Sequence, residues 1–232
     1  MFSICINYKQ TQGEILNWQD KLNKQGYVQL DNFLTDKVAN RLLKSLKNNS
    51  HSNAWRLLSR PNQSLPMINA SFKNSGLFRQ AQKLAISGHK RRQFAFSFWR
   101  SSNRYIETNK MKPVIEIFKS EILRNVAAVI KDKPSLTDCF AAKLECNQFI
   151  DYHTDGPAGE YAFIYQLSKS WQPRYGGQLI LYPSKSRFYR KLLVPKFNTL
   201  SILKLDHPMP HSVKMLKTPQ HKQRYTISGW IK

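Results

Sequence analysis

Apolar positions in the first half of the chain recur at helical spacing, whereas in the second half they alternate. Val38, Leu42, Leu43 and Leu46 share one face of a helix predicted from Thr35, its N-cap, to about Lys47. A short strand, Gly26 to Leu30, precedes it, and a second helix is expected from Gly76 to Ile86. Pro113 suits the first turn of a longer helix whose stripe is Val114, Ile117, Phe118, Ile122 and Val126. The polar stretch His51–Pro66 reads as a mobile loop, whose composition suits a lid and an ordinary surface loop equally. From Cys139 onward, short β-type runs follow one another: Cys139–Phe149, Tyr161–Leu167, Gly177–Tyr182, Lys191–Val194, Thr199–Leu205, Ser212–Leu216 and Tyr225–Ile231. Gly156-Pro157, Gly176-Gly177 and Pro208-Met209-Pro210 punctuate them. Many short strands without intervening helices predict a sandwich or barrel, with the helices packed on one face. The fold class is therefore α+β. One domain, 1–232, is expected, with a helical N-terminal part to about residue 135 and a β core from about 136.

Composition narrows the class. At 232 residues, 41% hydrophobic and 12% aromatic, the chain is long enough for one substantial core and too apolar for disorder. No apolar run approaches the roughly 18 residues of a membrane span. Met1 to Gln12 lacks the pattern of a secretory signal, so a cytoplasmic location is expected. Cys5, Cys139 and Cys146 form no C-x-x-C pair, which argues for reduced, packing thiols rather than a disulfide framework or zinc site.

Charge changes the picture more. The formal net charge is +23. Between Asp36 and Glu107 there are 14 Lys or Arg and no acidic residue, and Tyr161–Leu205 and His207–Lys232 are likewise free of acids. Such a field attracts polyanions and holds them by counterion release. A nucleic acid, a ribonucleoprotein or an anionic membrane surface is the expected neighbour.

The candidate chemistry begins at His153-Thr154-Asp155. In an extended segment residues i and i+2 share a face, so an imidazole and a carboxylate would be presented together. Alone, H-x-D is common by chance. A second imidazole would complete a two-His-one-carboxylate set, which leaves one face of an octahedral iron open for a bidentate oxo acid and dioxygen. His211 opens the strand-like His211-Ser212-Val213 and supplies it; His207 is the competitor. Thirteen residues after His211, Arg224 starts an alternating segment from which a guanidinium can fork onto a remote carboxylate. Ser228 or Thr226 can add a hydroxyl. His51, His89 and His221 lie in polar basic stretches and read as solvated.

Together these residues resemble the Fe(II)/2-oxoglutarate dioxygenases of the prolyl 4-hydroxylase type. The resemblance runs from about Cys139 to Lys232 and more loosely back to the Gly26–Leu34 strand and the helix after it. It rests on His153-Thr154-Asp155, on Ala162-Phe163-Ile164-Tyr165-Gln166-Leu167 ahead of Trp171, on Gly176-Gly177-Gln178-Leu179-Ile180-Leu181-Tyr182, and on Arg224 to Trp230. Within the family, the ribosomal-protein prolyl hydroxylases are most similar, and the hypoxia-factor prolyl hydroxylases are a more distant likeness. The resemblance implies a double-stranded β-helix, the cupin-like jelly-roll. It implies iron on His153, Asp155 and His211, and 2-oxoglutarate on Arg224, with Tyr165, Gln166 and Ser228 in the same pocket. Fe(II), 2-oxoglutarate and dioxygen are the implied cofactors, with ascorbate as an optional reductant. The cosubstrate would be cleaved to succinate and carbon dioxide as an unactivated C–H bond is hydroxylated. A retained Asp155 disfavours halogenation. Two positions depart from the family: Gln166 stands where many members have Tyr, and so does Leu144, nine residues before the first His.

Two basic-aromatic clusters bear on the substrate. In His89–Arg100, Phe94, Phe96 and Phe98 alternate as the buried face of a strand would, which predicts core packing. In Lys185-Ser186-Arg187-Phe188-Tyr189-Arg190-Lys191, between two predicted strands, Lys185, Arg187, Arg190 and Lys191 are expected to contact nucleic acid, the ribosome or an acidic protein. A protein prolyl side chain on a ribosomal or nucleic-acid-associated protein joins the likeness to the charge. A free amino acid or small metabolite fits the chain's size but not its charge. Oxidative nucleic-acid demethylation lacks the second Arg expected shortly after the first, since Tyr225–Ile231 has none.

Overall fold

The computed structural model describes residues 12–48, 55–71, 75–101, 116, 118–120, 122, 130, 134–183, 188–205, 209–219 and 222–232. In chain order they form α1 (Gln12–Gln25), β1 (Tyr27–Leu30), α2 (Asp36–Asn48), β2 (Trp55–Arg60), β3 (Ile68–Ser71), α3 (Ser75–Lys90) and β4 (Phe96–Ser101). Then follow β5 (Leu136–Leu144), β6 (Phe149–His153), β7 (Tyr161–Gln166), β8 (Leu179–Leu181), β9 (Lys191–Leu193), β10 (Thr199–Lys204), β11 (His211–Val213) and β12 (Arg224–Ile231).

The helix from Thr35 forms as expected. The Thr35 hydroxyl oxygen accepts from the Val38 amide at 3.3 Å, and Asp36 places a negative charge on the first turn. Ala39, Leu42, Leu43 and Leu46 are buried, with Val38 packed beside them. Helix α1 was not anticipated. Among its described side chains, the core contact is a narrow i, i+4 pair, Trp18 and Leu22, while Leu16 is exposed. Of the helix expected from Pro113, Phe118 and Ile122 are buried, while Pro113, Val114, Ile117 and Val126 lie outside the described residues.

Of the loop expected over His51–Pro66, residues 61–66 are irregular and 51–54 lie outside the described residues, but the middle is a strand. Residues 55–60 are β2, in which Trp55, Leu57 and Ser59 are buried and Arg56, Leu58 and Arg60 are half-buried. The polar character belongs to the outer face, where Arg56 donates to Asn69 Oδ1 at 2.7 Å and Arg60 to the Leu65 carbonyl at 3.0 Å.

The strands are joined in the order β1-β10-β7-β12-β5-β4-β6-β11-β8-β9, with β2 added on β4 and β3 on β2, and every pairing is antiparallel. Strand β4 turns the corner. It pairs with β5 through Trp99 and Arg100 and with β6 through Phe96 and Ser97, so the sheet curls into the two walls of a jelly-roll. Both faces of the larger wall are covered. Phe163, Tyr165, Tyr225 and Ile227 join Phe33, Leu42 and Phe118 on the helical side. From alternate positions Ala162, Ile164, Leu144 and Trp230 face inward, toward Leu181 and Val213 of the second wall. The N-terminal half thus supplies four strands as well as helices. Among the described residues, no helix is long and apolar enough to cross a membrane.

Candidate metal centre

His153 ends β6 and His211 begins β11, and the two are direct cross-strand partners with ring centroids 4.3 Å apart. Asp155 is not in an extended segment, as the sequence reading assumed. The chain has turned into αR geometry there (φ −75°, ψ −5°), ahead of a single 3-10 turn at Gly156–Ala158. The turn brings the carboxylate back over both rings. Asp155 Oδ1 lies 3.5 Å from His153 Nε2, and Oδ2 lies 3.5 Å from His211 Nε2. One ligand atom from each residue falls within a 4.8 Å span.

Each imidazole is aimed from behind. His153 Nδ1 donates to the Asp151 carbonyl at 2.8 Å, and His211 Nδ1 donates to the Met209 carbonyl at 3.0 Å. Fixing Nδ1–H this way leaves both Nε2 lone pairs facing the centre, the tautomer a metal needs. Burial pulls the Asp155 pKa up, but His153 and His211 outweigh it, and with the Trp230 indole they hold the carboxyl below its usual range. Burial and the neighbouring His153 depress the pKa of His211. Against the pull of burial, Asp155 raises that of His153. Two imidazole nitrogens and one carboxylate on one side of a cavity are the donor set of a non-haem ferrous site.

Arg224, at the start of β12, is 2% exposed. Burial lowers its pKa to about 10, so it is still a cation at neutral pH. Its Nε and Nη2 have no hydrogen-bond partner. A buried cation with unused donors is costly unless an anion completes it. The site therefore fits a carboxylate at this end and a metal at the other. Gly177 makes room for Arg224. It sits at φ +71°, and a Cβ there would come 3.1 Å from Arg224 Cδ and 3.2 Å from Trp171. Gly177 is thus a packing requirement of the space around Arg224, whereas a Cβ at Gly176 would meet the Met215 carbonyl.

Arg224, Thr226 and Ser228 lie on alternate positions of β12 and line the same cavity as the three metal-ligand candidates, a space of about 210 Å³. Ser228 Oγ donates to Thr226 Oγ1 at 3.4 Å. Gln166 pairs with Thr226 and is buried with its Oε1 unpartnered, beyond the residues that line the cavity. Tyr165, expected beside the cosubstrate, is on the opposite face. It packs on Phe33 and Phe118 and donates from its hydroxyl to Asn198 Oδ1 at 2.7 Å. Adjacent strand residues point to opposite sides, so Tyr165 and Gln166 cannot both face the cavity. Leu144 lines it and pairs with Arg224 across β5, supplying bulk but no hydroxyl.

Two further expectations change. Phe94, Phe96 and Phe98 are half-buried rather than fully in the core, with Phe98 packed against the inner apolar cluster. All three form an aromatic wall of the cavity, and the Phe94 ring lies 6.1 Å from the His153 ring, tilted by 47°. The core side of β4 is instead Ser97, Trp99 and Ser101. His89 is not simply solvated, since its Nδ1 lies 2.7 Å from Asp151 Oδ1. Asp151 Oδ2 also accepts from the Ala95 amide, so one residue ties α3 and the start of β4 to the backbone that orients His153. His51, His207, His221, Lys185 and Arg187 lie outside the described residues. The sequence reading passed over Trp230, whose otherwise unpartnered indole nitrogen faces the Asp155 carboxyl. Its place at the end of the Arg224–Trp230 strand was the available signal.

Residues 141–232 match the family model described as the 2OG-Fe(II) oxygenase superfamily. No curated protein gives a significant match to the chain. Among solved structures, a Pseudomonas putida prolyl-4-hydroxylase superposes with TM-score 0.62 at 13% identity, over 94% of this chain and 98% of that one. A Trichoplax adhaerens prolyl hydroxylase, solved with a hypoxia inducible factor oxygen degradation domain peptide fragment, gives 0.62 at 18% identity over 96% and 93%. A non-haem alpha-ketoglutarate-dependent epimerase of nogalamycin biosynthesis also gives 0.62, at 9% identity over 95% and 83%. The matched architecture is the jelly-roll of these oxygenases. The range of reactions it hosts leaves the substrate to be argued from the site.

Proposed function

We propose that this chain, a 2OG-Fe(II) oxygenase over residues 141–232, hydroxylates a prolyl side chain of a ribosomal or nucleic-acid-associated protein in the cytoplasm. One observation carries the chemistry: His153, Asp155 and His211 converge at one place in a cavity that also holds a buried, unsatisfied Arg224. When bound, Fe(II), 2-oxoglutarate and dioxygen supply the oxidising power, with succinate and carbon dioxide as coproducts. The protein's part is placement. His153, Asp155 and His211 hold the metal on one side and leave the other open. Arg224 forks onto the remote carboxylate of the cosubstrate, and Ser228 and Thr226 add hydroxyls. The Trp230 indole, close to Asp155, helps keep its carboxyl ionised. Phe94, Phe96 and Phe98 exclude water and offer apolar faces to a saturated ring.

The prolyl reading draws on those three rings and on two similar structures that are prolyl hydroxylases. The nucleic-acid association draws on the net charge of +23. The free thiols Cys139 and Cys146 are in keeping with a reducing compartment. Comparative mass spectrometry of proteins from cells with and without the enzyme tests it. A 16-dalton gain on proline, absent when the cells carry a His153→Ala enzyme, is expected. A gain confined to free amino acids, or demethylation of RNA, would overturn the substrate assignment.

A further inference from the structure

Outside the metal cavity, and sharing no lining residue with it, a groove of about 630 Å³ runs between the α1–β1 turn and the segment leading into β9. Lys24, Arg190, Lys191 and Lys204 line it together with Tyr27 and Tyr189, and no acidic residue does. Lys24 is paired with Asp20 at 2.9 Å on the surface. Tyr27 is half-buried, and its phenol is pushed up by burial and by the nearby Tyr189. Beside the groove, Phe188 is 99% exposed and Tyr189 70% exposed.

We propose that this groove binds single-stranded nucleic acid, with Lys24, Arg190, Lys191 and Lys204 on the phosphates and Tyr189 and Phe188 as stacking platforms for bases. The charge alone would suit any polyanion. Adjacent aromatic rings held in water beside the cations decide between occupants. A carboxylate-rich segment would answer the cations and leave these rings without a flat partner of its own, whereas every base brings a face to stack on them. A duplex keeps its bases stacked inside and offers the rings nothing. The surrounding surface, with 37 Lys and Arg against 14 Asp and Glu in the whole chain, works in the same direction.

The test is fluorescence anisotropy with the full chain and labelled decauridine, without iron or 2-oxoglutarate, so that its outcome is independent of the hydroxylation reading. Four phosphate contacts at about 0.7 each give a log Kd against log salt slope of about 2.8, or roughly 50-fold weaker binding at 200 mM than at 50 mM salt. The Lys24→Ser, Arg190→Ser, Lys191→Ser triple variant should lower the slope to about 0.7. Tyr189→Ala should weaken binding about tenfold, within the range of a lost base stack, without changing the slope. All four side chains are exposed, and thermal melts matching the parent confirm that folding is intact. An unchanged slope in the triple variant overturns the proposal. So does parental affinity in Tyr189→Ala, or displacement of the oligonucleotide by polyglutamate or duplex at equal charge concentration.

Discussion

Among single residues, Arg224 shows most clearly why this chain needs its cosubstrate. Its guanidinium is buried, charged at neutral pH and short of partners at Nε and Nη2. Truncation to Ala should raise the half-saturating 2-oxoglutarate concentration about a hundredfold, the worth of roughly 3 kcal/mol from a bidentate charged contact, and leave the iron requirement unchanged. Since an uncompensated cation is also removed, the ligand-free variant should melt no lower than the parent. Titrating cosubstrate and metal separately, with a melt of the free protein, checks all three. Equal effects on both requirements would remove Arg224 from its assigned role. This residue was legible in the sequence because its spacing to His211 and the alternation after it are local patterns. Tyr165 was misplaced because both faces of β7 are buried, so hydrophobicity cannot say which neighbour faces the cavity. The same ambiguity hid Phe96 and Phe98.

At the scale of elements, β5 carries a polar cluster on its helical side. Lys143, fully buried, lies 3.0 Å from Glu145 Oε1 and near the faces of Trp55 and Trp99. Glu145 also accepts from Trp99 Nε1 at 3.1 Å and from Gln223 Nε2 at 2.9 Å, which ties β4, β5 and the approach to β12 together. Glu145→Ala removes the carboxylate that pairs with this buried ammonium. A loss of about 3 kcal/mol is expected. At 2–4 °C per kcal/mol, the melting temperature should fall by about 6–12 °C. Adding Lys143→Met should restore most of it. A single variant as stable as the parent would show that the cluster is not needed for stability. Element types were readable where one periodicity dominated, as in α2, or where a short apolar run sits between turn signals, as in β7, β10 and β12. They were not where polar outer residues masked a period of two, as in β2, or where, among the described side chains, only Trp18 and Leu22 are buried, as in α1.

Over the whole molecule, the curled sheet holds the proposed metal ligands and the proposed cosubstrate anchor on different elements, so a metal and cosubstrate that bridge them should oppose unfolding. Under anaerobic conditions, Mn(II) with 2-oxoglutarate, each at about a hundred times its dissociation constant, should together stabilise the fold by about 5.4 kcal/mol, about 2.7 from each. The melting temperature should then rise by about 11–22 °C. An Asp155→Ala protein should gain much less, and a chelator should abolish the rise in the parent. No shift in the parent would argue against a preformed site. The order β1-β10-β7-β12-β5-β4-β6-β11-β8-β9 was beyond the sequence reading, because long-range pairing leaves no local trace.

Strand β4 has a consequence of another kind. The proposed metal ligands and Arg224 all fall inside residues 141–232, but the aromatic wall of the cavity comes from Phe94, Phe96 and Phe98, well upstream. On the proposed reading, the reactive groups and a large part of the surface that would meet a substrate are encoded by separate stretches of gene. Mutation can retune what enters the site while the oxidising machinery is inherited intact, and grafting the β4 segment between related enzymes is the direct way to transfer substrate preference.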